Sequence, residues 1–560
     1  MQAQITIIVW VLFCLPLAGM AQKANYQLRW GSVTVRYPQE QAPSVFRNSA
    51  FHTPAWRGER VNAQALIWSD DDLEDVTVTV SRLTSGQSVI PQDAVSARFV
   101  GYVMTDGLTP GKDSQCGYRL NKAEWDSSMV ADRLELTKQV RIKAGTTRPV
   151  WIQVWVPVDA KAGTYTGKLT VSGSNCPAKT LPISMKVTNR TLPAPQEWAF
   201  HLDLWQNPYA VARYDSVELW SQAHFDAMRP VMKILADAGQ KVITATLMDR
   251  PWNGQTEDPF HSMIGKTKRL DGTWEYDYMV FDRWVEFMYS VGIDRQINCY
   301  SLIPWALSFD YYDQAAHLIK YVNAAPGSDA YNEYWGSFIK DFARHLRAKG
   351  WFDKTTIAMD ERPLAQMKAA VQLIRRVEPE FKIALAGNYH TELESELYDY
   401  CIAFGHEFPA DVKARRLREG KVSTVYTCCT EAHPNTFTFS DPAEAAWIGW
   451  HVMAKEYDGY LRWSYNSWTA DPLTDSRFRT WPAGDCYIVY PRGESSIRME
   501  MLIEGIQDFE KCRILRDEYR RKGDTARLKR LQQMVDDFTI EHLMKRGAAT
   551  MVEQARKAWF

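Results

Sequence analysis

From about residue 200 onward the chain alternates short apolar, β-branched runs with longer amphipathic stretches, and nothing else in it restricts the fold so strongly. Strands are expected at 200–204, 242–246, 296–300, 355–359, 383–386, 400–404, 423–426 and 459–463. Helices are expected between them, at 223–238, 278–291, 331–349, 364–377 and 444–456. Parallel strands need helix-length crossovers, so this alternation predicts a parallel sheet covered by helices. Eight such units over roughly 300 residues fit a (β/α)8 TIM-type barrel better than an open sheet. No Gly-rich phosphate loop of the nucleotide-binding kind accompanies them.

Upstream the pattern is all-β. Short runs at 33–37, 76–80, 98–104, 150–156, 164–171 and 183–187 are separated by turn pairs such as Ser85-Gly86, Ala162-Gly163 and Gly173-Ser174. They predict a β-sandwich of immunoglobulin size, with 150–156 alternating as a half-buried strand does. Leu192-Pro193-Ala194-Pro195 is a stiff linker. Beyond Ser495 the chain turns helical and charged, with an apolar face at Met499, Met501, Leu502 and Ile506. At the N-terminus an apolar run, 5–17, precedes the small-residue pattern Ala18-Gly19-Met20-Ala21 and reads as a signal peptide of an exported protein. The expected order is therefore signal peptide 1–21, β-sandwich 22–190, Pro-rich linker 191–195, barrel 196–515 and helical extension 516–560. No further stretch is apolar enough to keep the processed chain in a membrane.

Charge narrows the partners: 66 basic against 67 acidic side chains leave no field to attract nucleic acid or an anionic membrane. The 22 Trp and 26 Tyr point instead to aromatic surfaces of the kind that cover sugar rings, most of them still serving the core. The nine Cys show no metal-ligand spacing. Cys428-Cys429 could form a vicinal disulfide, and Cys116 could bridge to Cys176 within the first domain. Asp70–Asp72 reads as an exposed acidic turn. A Gly-x-Ser-x-Gly elbow and a His-Glu-x-x-His helix are both absent, and the histidines are isolated. No metal and no organic cofactor is expected.

The chemistry-bearing residues fall at the C-terminal ends of the expected strands, where barrels carry their sites. In chain order they are Asp203, Trp205 and Asn207; Trp252; Asn298 and Tyr300; Asp360 and Glu361; Asn388, Tyr389 and His390; His406 and Glu407; Tyr426, Glu431 and His433; and Arg462, Trp463, Tyr465 and Trp468. Rings that cover C–H faces, with amides and acids that read hydroxyls, suit a polyhydroxylated ligand. The adjacent pair Asp360-Glu361 stands out. Neighbouring strand residues point to opposite faces, so both can serve one site only if the alternation breaks there.

Several of these segments resemble glycoside hydrolase family 123: Asp203-Leu-Trp-Gln-Asn-Pro208, Ala358-Met-Asp-Glu361, Pro434-Asn-Thr436, Arg462-Trp-Ser-Tyr-Asn-Ser-Trp468, Gly484-Asp485, Tyr490-Pro491 and Glu504-Gly-Ile-Gln-Asp508. The resemblance spans nearly the whole mature chain and implies a retaining exo-β-N-acetylgalactosaminidase acting on a glycan or glycolipid. In that chemistry the sugar's own 2-acetamido oxygen is the nucleophile. By resemblance Asp360 orients the acetamide and Glu361 is the acid/base. Substrate-binding roles are expected of Trp205, Asn207, Trp252, Tyr300, Asn388, Tyr389, His390, Tyr426, Arg462, Trp463, Tyr465 and Trp468, with Tyr389, Tyr426 or Tyr465 touching the acetamide. One carboxylate of so close a pair should hold its proton more tightly, as suits the acid. Two alternatives stand beside this. One is a glycosidase with Glu361 as acid/base and Glu431 or Glu407 as covalent nucleophile; the other is a non-catalytic exported glycan-binding protein.

Overall fold

The computed structural model describes residues 24–108, 116–117 and 126–557, so the expected signal peptide lies outside the described residues. The N-terminal region is two antiparallel sheets face to face. The first runs Tyr26–Gly31, Arg60–Ser69, Thr146–Trp155, Val95–Thr105, Ser128–Leu134. The second runs Lys179–Thr191, Gly163–Ser172, Leu73–Val80, Gln139–Ile142, with Ala55–Arg57 pairing in parallel at one edge. Ile67, Val150, Ile152, Leu169 and Ile183 fill the space between them. Residues 33–37, expected as a strand, form turns instead: the Tyr37 hydroxyl accepts from Ser32 N (2.8 Å) and donates to Val45 O (2.8 Å), satisfying the backbone locally.

The first sheet is covered on both faces. Ile152 and Val154 enter the sandwich core, while Trp151 joins the core of the barrel. Gln153 Nε2 donates to Glu500 Oε2 of the barrel's closing helix at 2.5 Å. The alternation at 146–155 thus separates two buried faces rather than core from water.

The barrel strands are His201–Leu204, Val242–Thr246, Gln296–Tyr300, Thr355–Met359, Lys382–Gly387, Asp399–Ala403, Val422–Tyr426 and Gly459–Arg462. Each pairs in parallel with the next from the second to the eighth, and the eighth pairs with the first. The seam between first and second strands is held by Lys241 N to Leu202 O (3.0 Å) and Leu204 N to Gln240 Oε1 (3.0 Å), so the barrel is nearly closed. A four-stranded sheet that the periodicity did not reveal (Gly265–Lys268, Trp274–Asp277, Ser308–Asp313, Leu318–Asn323) grows from the loops after the second and third strands.

The helix Ile497–Lys522 runs through the boundary expected at 515 and seals the barrel against Pro442–Ala454. There Gly449 meets Gly505 so closely that a Cβ on Gly449 would stand 2.2 Å from the Gly505 carbonyl oxygen. The sandwich docks on this same helix: Asn62 Nδ2 donates to Glu504 Oε1 (2.9 Å), and Arg60 and Gln507 exchange two hydrogen bonds (2.7 and 2.8 Å). Buried Arg498 pairs with Asp132 at 2.9 Å, and the Tyr490 hydroxyl completes that carboxylate at 2.7 Å. Arg498 Nη1 also donates to the carbonyls of Thr436, Gly484 and Tyr487, so this buried pair ties the sandwich to the barrel's last loops. The two regions thereby form one frame behind the strand ends.

Candidate active site

The fourth strand is buried along its whole length and stops at Met359. Asp360 and Glu361 fall in the bend beyond it, ahead of Pro363 and the helix Leu364–Val377. The two-residue alternation ends there, and both side chains line one cavity of about 630 Å³ at the barrel mouth. That is mid-range for ligand pockets, about 300–1,000 Å³. Two other hollows, of about 710 and 340 Å³, follow the sandwich–barrel junction, away from the strand ends.

Within the cavity Asp360 is buried and Glu361 sits exposed on the rim. The Trp305 indole N–H donates to Asp360 Oδ2 at 2.6 Å; Oδ1 has no hydrogen-bond partner among the described residues, and Arg362 Nε stands 3.6 Å from it. Burial pushes the Asp360 carboxyl up to about 6, against the opposing pull of the Arg362 cation and the Trp305 N–H. The group raised is therefore the buried Asp360, where the sequence pointed to the acid of the pair. Glu361 is held by the Tyr426 hydroxyl, which donates to its Oε1. Gly387, at the end of the fifth strand, leaves room for it: a Cβ there would lie 3.0 Å from Glu361 Cγ.

Aromatic rings make the floor. Trp205 and Trp252 stack at 5.0 Å, and Tyr300 packs behind both at 4.5 and 5.2 Å. Trp463 forms a side wall; its indole N–H donates to Asp485 Oδ2 (3.1 Å), and Asp485 pairs with the fully buried Arg462 at 2.6 Å. Trp481 extends this wall edge-on to Trp463 at 5.8 Å. A carboxylate with one oxygen fixed and one without a hydrogen bond, a second carboxylate beside it, and a ring-lined floor can hold a sugar and move a proton to or from its glycosidic oxygen.

Residues 205–515 match the catalytic domain of glycoside hydrolase 123, and residues 30–173 match the N-terminal domain of the same family. The chain belongs to glycoside hydrolase family 123. A family 123 glycoside hydrolase from Clostridium perfringens, described for its hydrolysis of glycolipid glycans, superimposes with a TM-score of 0.83 at 26% identity, over 95% of this chain and 98% of its own. A family 39 glycoside hydrolase from Bacteroides cellulosilyticus WH2 reaches only 0.35 at 11% identity, covering 77% and 80% of the two chains. Among curated proteins the sequence finds no match.

Of the residues expected in the site of this family 123 hydrolase, the cavity gathers Asp360, Glu361, Trp205, Trp252, Asn388, Tyr426 and Trp463. Others do different work. Asn207 caps the helix Pro208–Asp215, accepting from Tyr209 N at 3.0 Å. Tyr389 stacks on Tyr400, whose hydroxyl in turn accepts from the His390 backbone N–H, so Tyr389 and His390 brace the loop outside the cavity lining. Tyr465 and Trp468 are buried, donating to Val231 O and Val489 O, both at 2.8 Å. Arg462 acts on the site indirectly, through Asp485 and Trp463 and through Asn435, to which its Nη1 donates at 2.8 Å. Deeper in the barrel, burial and neighbouring Asp399 push Asp203 up to about 7.

The cysteines also differ from expectation. Cys429 pairs with Cys116, leaving Cys428 and Cys176 as free thiols. Of the alternative nucleophiles, Glu407 is exposed and ion-paired with Lys455. Glu431 lines the cavity, but its oxygens accept from Cys428 N (2.8 Å) and Thr430 Oγ1 (2.6 Å) of its own loop. Trp305, Arg362, Gln255 and Trp481 line the site without having been singled out beforehand. All four sit on loops whose partners are set only by the tertiary fold. A Trp next to a Pro in a strand-end loop, as at Pro304-Trp305, is the one local hint.

Proposed function

We propose that the chain is a retaining exo-β-N-acetylgalactosaminidase that works by substrate-assisted catalysis on glycans or glycolipids. The observation that carries the reading is the split environment of Asp360: Oδ2 is fixed by the Trp305 N–H and Oδ1 has no partner. Oδ1 is suited to accept the amide N–H of a 2-acetamido group lying on the aromatic floor. Holding that N–H turns the acetamide oxygen toward the anomeric carbon. As the C–O glycosidic bond breaks, the acetamide oxygen bonds to carbon and Glu361 gives its proton to the leaving oxygen. Positive charge then develops on the acetamide nitrogen, where ionised Asp360 stabilises it. In the second half Glu361 takes a proton from water, whose oxygen opens the oxazoline and restores the β-configured sugar and the acetamide.

The test is hydrolysis of an aryl β-N-acetylgalactosaminide beside its gluco epimer and the plain β-galactoside. Cleavage of the galacto acetamide, abolished by Glu361→Gln, is expected. Equal turnover of the plain galactoside would overturn the acetamide's role. Export is part of the same reading, supported by the N-terminal pattern and by the Cys116–Cys429 disulfide, since such bonds persist in oxidising compartments. N-terminal sequencing of the mature protein is expected to begin near Gln22; an intact Met1 would refute it.

A further inference from the structure

The first domain reaches the catalytic cavity. Its strand Val95–Thr105 runs past the sandwich and binds the barrel's last loop: Met104 N donates to Thr474 O (2.7 Å), and Ser476 N donates to Met104 O (2.9 Å). Asp106 Oδ1 accepts from Ala483 N at 3.0 Å. Further along, Gly117 N donates to Thr480 O at 3.2 Å. Cys116, beside it, is disulfide-bonded to Cys429 across 313 residues and itself lines the cavity. Cys429 lies on the loop after the seventh barrel strand, whose Cys428, Thr430 and Glu431 line the cavity too.

We propose that this cross-linked wall, drawn from both domains, is the leaving-group subsite, shaped for the sugar on the reducing side of the scissile bond, and that the Cys116–Cys429 bond keeps it in place. The inference rests on the role given above to Glu361. The leaving oxygen must face that carboxylate, and Glu361 is held by Tyr426, the last residue of the strand that leads into the loop. The terminal sugar occupies the Trp205–Trp252 floor, so the next unit extends past Glu361 toward this loop. There Trp481, fixed by its indole N–H to Gln255 O (2.9 Å), and the apolar disulfide offer surface for C–H faces, with Thr430 and Gln255 beside them for hydroxyls. The loop is also tied internally, Asn435 Nδ2 donating to the carbonyls of Cys428 and Glu431 at 2.7 Å each. Opening the disulfide therefore removes the covalent tie between Cys116 and the loop, and leaves the Gly117–Thr480 bond and the loop's own bonds in place.

The experiment compares kcat/KM on a β-N-acetylgalactosamine-terminated trisaccharide with kcat/KM on the aryl glycoside, for wild type, Cys116→Ser, Cys429→Ser, and wild type reduced until thiol titration shows the bond open. Relative to untreated wild type, the trisaccharide-to-aryl ratio is expected to fall at least fivefold in all three altered forms, mainly through KM. The reduced wild type guards against a variant that misfolds. A smaller change with the bond demonstrably open, or equal loss on both substrates, overturns the wall. Wild-type silence on both substrates would instead sink the reading on which it rests.

Discussion

Trp305 donates its indole N–H to one oxygen of Asp360 at 2.6 Å, and the other oxygen of that carboxylate is left without a hydrogen-bond partner. The bond decides which lone pairs remain for a substrate. A hydrogen bond to a charged acceptor contributes about 1.5–3 kcal/mol, so Trp305→Phe is expected to lower kcat roughly 10- to 100-fold on acetamido sugars. The Arg362 guanidinium lies 5.3 Å over the Trp305 ring, a contact phenylalanine can keep. Because the N–H favours the ionised carboxylate, the acidic limb of the rate profile should also move to higher pH. Unchanged kcat, with the limb in its wild-type position, would show Trp305 to be mere lining.

The second expectation concerns pH itself. In the mechanism proposed above Asp360 acts ionised, stabilising charge on the acetamide nitrogen, and burial raises it to about 6. kcat/KM should therefore decline about tenfold for each pH unit below that value. The Arg362 cation pulls the other way from 3.6 Å, so Arg362→Gln should shift the limb upward. Profiles of the two enzymes on one aryl substrate check this. A limb at the same pH in both would remove Arg362 from the account.

Much of the frame was legible because its cause is local. Buried β-branched runs such as Thr355–Met359 have few alternatives to being strands, and the strands found at Val242–Thr246 and Gln296–Tyr300 fall where periodicity put them. The added sheet was not legible: Trp274–Asp277 and Leu318–Asn323 have no fully buried side chain, so no hydrophobic stripe betrays them. Position at a strand end pointed to Asp360, Glu361, Trp205 and Trp463, which the fold brings to one cavity. The same rule misplaced Tyr465 and Trp468, because the chain turns inward after Arg462 and buries them against Val231 and Val489. The Cys116–Cys429 pairing joins residues 313 apart, and spacing along the chain carries no signal for it.

A carboxylate kept in a buried place should cost the fold something. For Asp360 the folded-state value of about 6 exceeds the ordinary 3.8, so the native protein binds this proton more tightly than the unfolded chain. Stability from this group is then highest at low pH and is lost as pH rises from about 4 through 6. The gap between 3.8 and about 6, at about 1.4 kcal/mol for each pH unit, comes to at most about 3 kcal/mol. Asp360→Asn cannot ionise. It should unfold at higher denaturant than wild type at pH 7.5, with the difference vanishing near pH 4, while its turnover collapses. Denaturant titrations at the two pH values decide; an Asn variant less stable than wild type at pH 7.5 would contradict the burial argument.

The position of Glu361 depends on an absent side chain. Gly387 ends the fifth strand with Glu361 Cγ 3.0 Å from where a Cβ would stand, and Leu385 Cδ1 is the next side chain at 3.7 Å. Alanine there would press on Glu361 alone. Glu361 is exposed on the rim and can yield by a few tenths of an ångström, so the fold need not suffer. Removing a glycine from a strand even reduces the entropy lost on folding. Its bond from the Tyr426 hydroxyl, however, would be disturbed, and with it the aim of the proposed acid at the leaving oxygen. Misplacing a catalytic group by about 1 Å can cost on the order of 100-fold, so a shift of a few tenths should lower kcat about tenfold with KM little changed. Gly387→Ala is thus expected to separate activity from stability. Equal kcat at equal melting temperature would mean that Glu361 has more room than its neighbours suggest, and that Tyr426 rather than Gly387 sets its place.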